Sequence, residues 1–127
     1  MCNDSKFYIC ERCGNFVSMI NSSGVKMKCC GQEMTELKPN VVDASHEKHV
    51  PVVDISDGVV RVCVGSVVHP MSEEHNIAWI SLVTDKGEYK RCLSAADAPV
   101  AEFAVNGEKP IAAYAYCNLH GLWKKDI

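Results

Sequence analysis

No apolar run in this chain approaches the length a bilayer-spanning helix needs, so no transmembrane helix is expected. Basic charge is not in excess either. A net charge of −3 provides no bulk field to hold nucleic acid. The only basic runs are short, "EYKR" and "WKKD", and both read as solvated strand ends. No window carries the periodicity of a long amphipathic helix. The opening "MCNDSKFYIC" lacks a basic segment followed by an apolar stretch, so no signal peptide is expected, and the expected compartment is the cytosol.

The chain is not poor in everything. Its 127 residues suffice for one ordinary domain, or for a small module joined to a domain of about 90 residues. With 47% hydrophobic and 23% charged residues it has the composition of a soluble globular protein. Its eight cysteines, in a reducing compartment, read as metal ligands or reactive thiols rather than as a disulfide framework.

These cysteines are unevenly spread. Cys10, Cys13, Cys29 and Cys30 lie close to the start, whereas Cys63, Cys92 and Cys117 are scattered later and Cys2 sits at an end expected to fray. All five histidines follow residue 45. A thiol-only head therefore precedes a histidine-bearing body, and "KPN" at 38–40 marks the boundary. The expected domains are residues 1–37 and 38–127.

In the head, "KFYICERCGNFVSMI" and "VKMKCCGQEMTEL" predict two short hairpins around the turn "NSSG". Large apolar residues are few there, so something other than a core must staple the fold. The body reads as strands: "VVRVCVGSVV", "IAWISLVTD", "EYKRCLSA", "AEFAVN" and "IAAYAYC", separated by "DG", "DKG" and "NG" turns. Short strands at this spacing predict an all-β antiparallel sandwich. Pro51, Pro70 and Pro99 suit edges and loops. Cys63 and Cys92 read as strand cysteines packed as small hydrophobes.

Two sets of donors stand out. Cys10-x-x-Cys13 forms a knuckle that Cys29 and Cys30 complete to four sulfurs, the donor set of a tetrahedral zinc or iron site. Sulfur ligation alone does not separate the two metals. Because Cys29 and Cys30 are adjacent, their side chains would point apart in a strand; the backbone must turn there, and Gly31 permits it. The second set is dispersed. "SHEKHVP" supplies His46 and His49, "VVHPMSEEHNIAW" supplies His69 and His75, and "CNLH" supplies Cys117 and His120. Four imidazoles and a thiolate exceed what tetrahedral zinc takes, and five ligands with an open sixth position suit redox-active iron. Spacing does not select which four histidines bind.

The segments "EKHVP", "GSVVHPMSEEHNIAWI" and "CNLHGLWK" resemble the iron-site segments of superoxide reductases. The head, with Cys-x-x-Cys and then Cys-Cys-Gly, resembles the desulforedoxin domain of the two-iron members, the desulfoferrodoxins. The likeness runs from about Phe7 to Lys124. It implies a rubredoxin/desulforedoxin-like metal domain followed by an immunoglobulin-like antiparallel β-sandwich.

It also implies two mononuclear irons per chain. His49, His69, His75 and His120 would be equatorial ligands and Cys117 the axial thiolate of a catalytic Fe(II)/Fe(III) centre. Cys10, Cys13, Cys29 and Cys30 would hold an FeS4-type centre. Glu47 and Lys48 match the charged pair bordering the open position, Glu47 capping the ferric state and Lys48 attracting the anion. His46 falls outside the matched segment and is not expected to bind.

The implied activity is one-electron reduction of superoxide to hydrogen peroxide without release of dioxygen. The implied partners are a small electron-donor protein such as a rubredoxin and a second copy in a homodimer, with neither nucleic acid nor membrane. A rubredoxin-like electron carrier and a zinc-stapled interaction module are the competing readings. Each accounts for the head and leaves the histidines of the body unused.

Overall fold

The computed structural model describes residues 5–127, so Cys2 lies outside the described residues. Contacts divide the chain into two compact units, Met1–Lys38 and Pro39–Ile127. No helix among the described residues is long and apolar enough to cross a membrane.

The first unit contains β1 (Lys6–Ile9), β2 (Phe16–Met19), β3 (Lys28–Cys29), β4 (Gln32–Glu33) and β5 (Thr35–Glu36). β1 and β2 form an antiparallel hairpin, β5 adds to the other side of β1, and β3 pairs with β4. Among its described residues only Phe7 and Cys10 are buried. One phenylalanine is too little apolar surface to offset the entropy of ordering such a segment. The turn after β3 is tighter than the sequence suggests. Cys30 itself has φ 53° and Gly31 φ 74°, so both residues, not glycine alone, enter the left-handed region. A non-glycine residue there is strained, and the left-handed turn is what lets two adjacent thiols reach one side.

The second unit opens with a one-turn helix, α1 (His46–His49), which no helical periodicity announced. Then follow β6 (Pro51–Ser56), β7 (Val59–Val64), β8 (Ile77–Thr84), β9 (Glu88–Cys92), β10 (Val100–Ala104), β11 (Pro110–Cys117) and β12 (Gly121–Asp126). Two antiparallel sheets result, β10-β7-β6 and β12-β11-β8-β9. Between them lies one apolar cluster. Val60, Val62 and Val64 of β7 and Ala101 and Phe103 of β10 face Ile77, Ile80 and Leu82 of β8 and Ala113 and Ala115 of β11. Alternation along β7 is the reason: Arg61 between the valines is exposed.

No strand is named from the sequence at β6, and only the solvated end "WKKD" at β12; both are outer strands of their sheets. β6 begins at Pro51, where a proline is tolerated. Cys92 corrects an expectation. It is exposed at the end of the outer strand β9, not packed as a small hydrophobe, while Cys63 is half-buried.

Candidate metal centres

The head brings its four thiols together: Cys10, Cys13, Cys29 and Cys30 place their sulfurs within 4.8 Å of one another. Cys13 Sγ lies 3.6 Å from Cys29 Sγ. The knuckle closes through backbone bonds, Gly14 N–H donating to Cys10 O at 2.9 Å and Cys10 N–H to Asn15 O at 2.9 Å. Backbone N–H groups of Cys13 and Arg12 pull the Cys10 thiol down to about 6. The neighbouring thiols of Cys13 and Cys10 push Cys30 up to about 12 and also raise Cys29. Four thiols in contact cannot all ionise without a cation among them, and a divalent metal removes that conflict. Asn15 adds a side-chain donor, its Nδ2 lying 3.5 Å from Cys29 Sγ.

The body's donors share one end of the sandwich. His49 stands before β6, His69 follows β7, His75 precedes β8, Cys117 ends β11 and His120 precedes β12. Antiparallel pairing puts all those strand ends on one side. The bonds of the β8–β11 ladder shift register between Tyr116 and Cys117, so that Cys117 pairs with Ile77 rather than Ala78. This bulge returns Ile77 to the core beside Cys117, the kind of local re-aiming bulges provide next to sites.

Four imidazoles form a closed ring. Centroids are 4.8 Å apart for His49–His69, 4.6 Å for His69–His75, 5.1 Å for His75–His120 and 4.8 Å for His120–His49. Across it His49 and His75 are 6.3 Å apart. The ligand atoms of His49, His69, His75 and Cys117 lie within 4.8 Å of one another. His120 joins through Nδ1, 3.0 Å from His49 Nε2 and 3.8 Å from Cys117 Sγ.

Outer hydrogen bonds decide which nitrogen faces inward. His49 Nδ1 donates to Ser45 O at 2.6 Å and His69 Nδ1 to Pro70 O at 2.7 Å. Each bond leaves Nε2 unprotonated and aimed at the cluster. His69 Nε2 and His75 Nε2 are buried and have no hydrogen-bond partner. Orphaned buried acceptors are costly unless something satisfies them, and a metal ion would do so here. Burial lowers the basicity of His49 and His75 and takes His69 down to about 4, which keeps the imidazoles neutral, the form that binds metal. Burial pushes the Cys117 thiol up, opposed by backbone N–H groups of Leu119 and His120 that favour the thiolate. The donor set, neutral nitrogen with one sulfur, fits iron.

These donors occupy both regions of a chain whose two parts match models of one family, the desulfoferrodoxin N-terminal domain over residues 2–37 and desulfoferrodoxin over residues 41–126. The chain belongs to the desulfoferrodoxin family. It is 44% identical over 126 residues to the desulfoferrodoxin of Nitratidesulfovibrio vulgaris, covering 99% of each chain. Among solved structures it is similar to the superoxide reductase of Treponema pallidum, with a TM-score of 0.83, 35% identity and coverage of 98% of this chain and 100% of that one. It is also similar to a one-iron superoxide reductase from Giardia intestinalis, with a TM-score of 0.57, 36% identity and coverage of 64% of this chain and 97% of that one. Members of this family carry two iron centres, and the two donor sets match that number.

Glu47 and Lys48 are exposed on α1, beside His49. Its own backbone N–H holds the Glu47 carboxyl below its usual range. His46 is exposed and its ring meets the edge of Trp123 at 5.3 Å rather than the imidazole ring.

Several residues that support the site escaped the sequence reading. Gly65, at φ 36°, lies so close to α1 that a Cβ there would strike the Glu47 carbonyl oxygen, with Lys48 C at 2.6 Å and Lys48 Cα at 2.8 Å. Val67 N–H donates to that same carbonyl at 2.8 Å. Asn118 ties two ligand loops, its Oδ1 accepting from Asn76 N at 2.9 Å and its Nδ2 donating to Glu74 O at 2.9 Å. The glycine had only its type as a signal; the asparagine stood inside "CNLH" without a visible partner.

Proposed function

We propose that the chain reduces superoxide by one electron to hydrogen peroxide at the histidine–cysteine centre of the body. His49, His69 and His75 through Nε2, His120 through Nδ1 and Cys117 through its sulfur would hold the iron. The observation that carries this reading is the closed ring of four imidazoles with a buried sulfur beside it. When bound, iron supplies a one-electron Fe(II)/Fe(III) couple, and superoxide takes up that electron and two protons.

The chain's own residues do the rest. Neutral imidazoles add no negative charge that would repel an anion. The Lys48 ammonium, one residue from ligand His49, raises the local concentration of superoxide and steers its approach. Glu47, exposed on α1 beside His49, would cap the centre when its iron is oxidised. The Cys117 thiolate donates electron density toward the metal, and the N–H groups of Leu119 and His120 temper it.

In the head, Cys10, Cys13, Cys29 and Cys30 hold the second iron, an electron carrier. Residues 1–37 form the desulforedoxin-like domain and 38–127 the reductase domain. The electron donor is a small protein such as a rubredoxin, the assembly is a homodimer, and the compartment is the cytosol, where thiols stay reduced. A zinc-stapled module and a rubredoxin-like carrier are disfavoured because both leave the ring of histidines without a role.

The test is metal analysis of anaerobically purified protein followed by stoichiometric reaction with superoxide. About two irons per chain with little zinc are expected. Each body iron oxidised should yield one hydrogen peroxide and no dioxygen. Dioxygen evolved at half the superoxide consumed would mean dismutation and would overturn the reading.

A further inference from the structure

Trp123 touches two of the proposed ligands, and nothing in the mechanism above uses it. Its indole stacks on His49, with centroids 4.8 Å apart and 27° between the planes. Its Nε1–H donates to the backbone oxygen of His120 at 3.1 Å. His46 also meets the indole edge to face, with centroids 5.3 Å apart and 80° between the planes. The side chain is wholly buried, at 0% exposure.

These contacts act on different degrees of freedom. The bond from His49 Nδ1 to Ser45 O anchors one edge of that ring but, as a single contact, leaves room for the ring to tilt. A stacked indole face limits that tilt. For His120 the constraint is on the backbone. Its Nδ1 faces the site, and the turn from Cys117 to Gly121 that presents it is anchored by its own carbonyl on the indole N–H. α1 and the Cys117–Gly121 turn are far apart in sequence, and Trp123 is a single rigid plate that gauges the distance between them. Its place in β12, opposite Ala115 of β11, gives it a fixed seat in the sandwich.

We infer that Trp123 is a positioning residue for the body's metal centre, setting the ring plane of His49 and the height of His120 together. The inference rests on the ligand set proposed above. Partners of this kind that orient metal-binding imidazoles typically contribute about 10- to 100-fold to metal affinity.

Two variants separate the contacts. Trp123→Phe keeps an aromatic face for His49 and removes the N–H; Trp123→Leu removes both. Phe103→Leu serves as a control, because Phe103 is buried in the core cluster and is not a member of the imidazole ring. Each iron-loaded protein would be examined for the thiolate-to-iron visible band, for the electron paramagnetic resonance of the ferric body centre, and for iron retained against a chelator. Trp123→Phe should shift the band and the resonance and bind iron about 10-fold more weakly, and Trp123→Leu about 100-fold more weakly. Phe103→Leu should lower the melting temperature and leave the spectra unchanged.

Parent-like spectra and retention in Trp123→Phe would overturn the inference, even if Trp123→Leu fails to fold. The same spectral change in Phe103→Leu would do so too, since it would make the effect one of general core damage. A parent protein without the thiolate-to-iron band would instead strike at the ligand set itself, so the two failures are distinguishable.

Discussion

The two halves of this chain solve the same problem, holding a metal, in opposite ways. In the head four thiols gather around almost no core: Phe7 and Cys10 are the buried positions among its described residues. In the body the donors hang from the end of a sandwich whose interior is filled by Val60, Val62, Val64, Ile80, Leu82 and their neighbours. The head is therefore expected to need its metal in order to fold. The body builds its fold first and offers the metal a rim. The difference also shows in the donors. The head uses charged thiolates that repel one another until a cation arrives. The body gathers neutral imidazoles, two of which, His49 and His69, are oriented beforehand by Ser45 O and Pro70 O.

Stripping the metals should break the comparison open and gives the largest effect. Structural metal sites of this size contribute roughly 10 kcal/mol or more to folding. Amide hydrogen exchange on metal-free protein should find β1, β2 and β5 unprotected and β7, β8 and β11 still protected. Cys13→Ser should do the same to the head alone, with single-turnover superoxide reduction by the body retained. A metal-free head as protected as the body would mean that the head folds without its staple.

Within the body the comparison can be sharpened at Gly65. A Cβ there meets the backbone of Glu47 and Lys48, atoms that cannot swing aside as a side-chain tip would, and the φ of 36° adds strain. Gly65→Ala should cost on the order of 2–3 kcal/mol in chemical denaturation. It should also weaken body iron binding through displacement of His49, while the FeS4 spectrum of the head stays unchanged. Loss of both metals together would show that the two units are less independent than proposed.

How much of this could be read beforehand depends on whether the information is local. The residues that the fold gathers into two clusters were legible as candidate donors, because Cys-x-x-Cys, "EKHVP" and "CNLH" are short patterns whose chemistry resides in residue type, although spacing did not choose among the histidines. Strands β7, β8, β10 and β11 were legible because their alternation and the "DG" and "NG" turns are local too. β6 and β12 were legible only in part: Pro51 suited an edge and "WKKD" a solvated strand end, but only pairing with β7 and β11 defines the full strands. α1 is too short for any periodicity. Gly65, Asn118 and Trp123 act across long sequence separations, so no window contains both partners.

Charge at the rim gives the next effect. Lys48→Ile should slow the second-order reaction with superoxide by about tenfold at low salt and flatten its dependence on ionic strength, as loss of a steering charge does. Glu47→Ala should leave the initial rate unchanged and alter the spectrum of the oxidised resting form. Pulse radiolysis measures both. An unchanged rate in Lys48→Ile would remove its role, and a collapse in Glu47→Ala would mean that the carboxylate does more than cap the oxidised centre.

The smallest effect returns to the head and to Asn15. Its side-chain amide lies 3.5 Å from Cys29 Sγ, the one non-cysteine side-chain donor that the described residues bring to these sulfurs. A hydrogen bond to a thiolate favours the reduced, more electron-rich centre and so raises its potential. One such bond is worth about 0.5–1.5 kcal/mol, which for a one-electron couple corresponds to about 20–60 mV. Asn15→Ala should therefore lower the midpoint potential of the FeS4 centre by that amount in a redox titration, with the body's potential unmoved. The backbone bond from Cys10 N–H to Asn15 O does not depend on the side chain, so the knuckle should persist. Asn15→Asp gives the sign a second check: a carboxylate cannot donate and adds negative charge beside sulfur, so its potential should fall further than that of Asn15→Ala. If the potential rises in either variant, the amide does not donate to Cys29 in the metal-bound head.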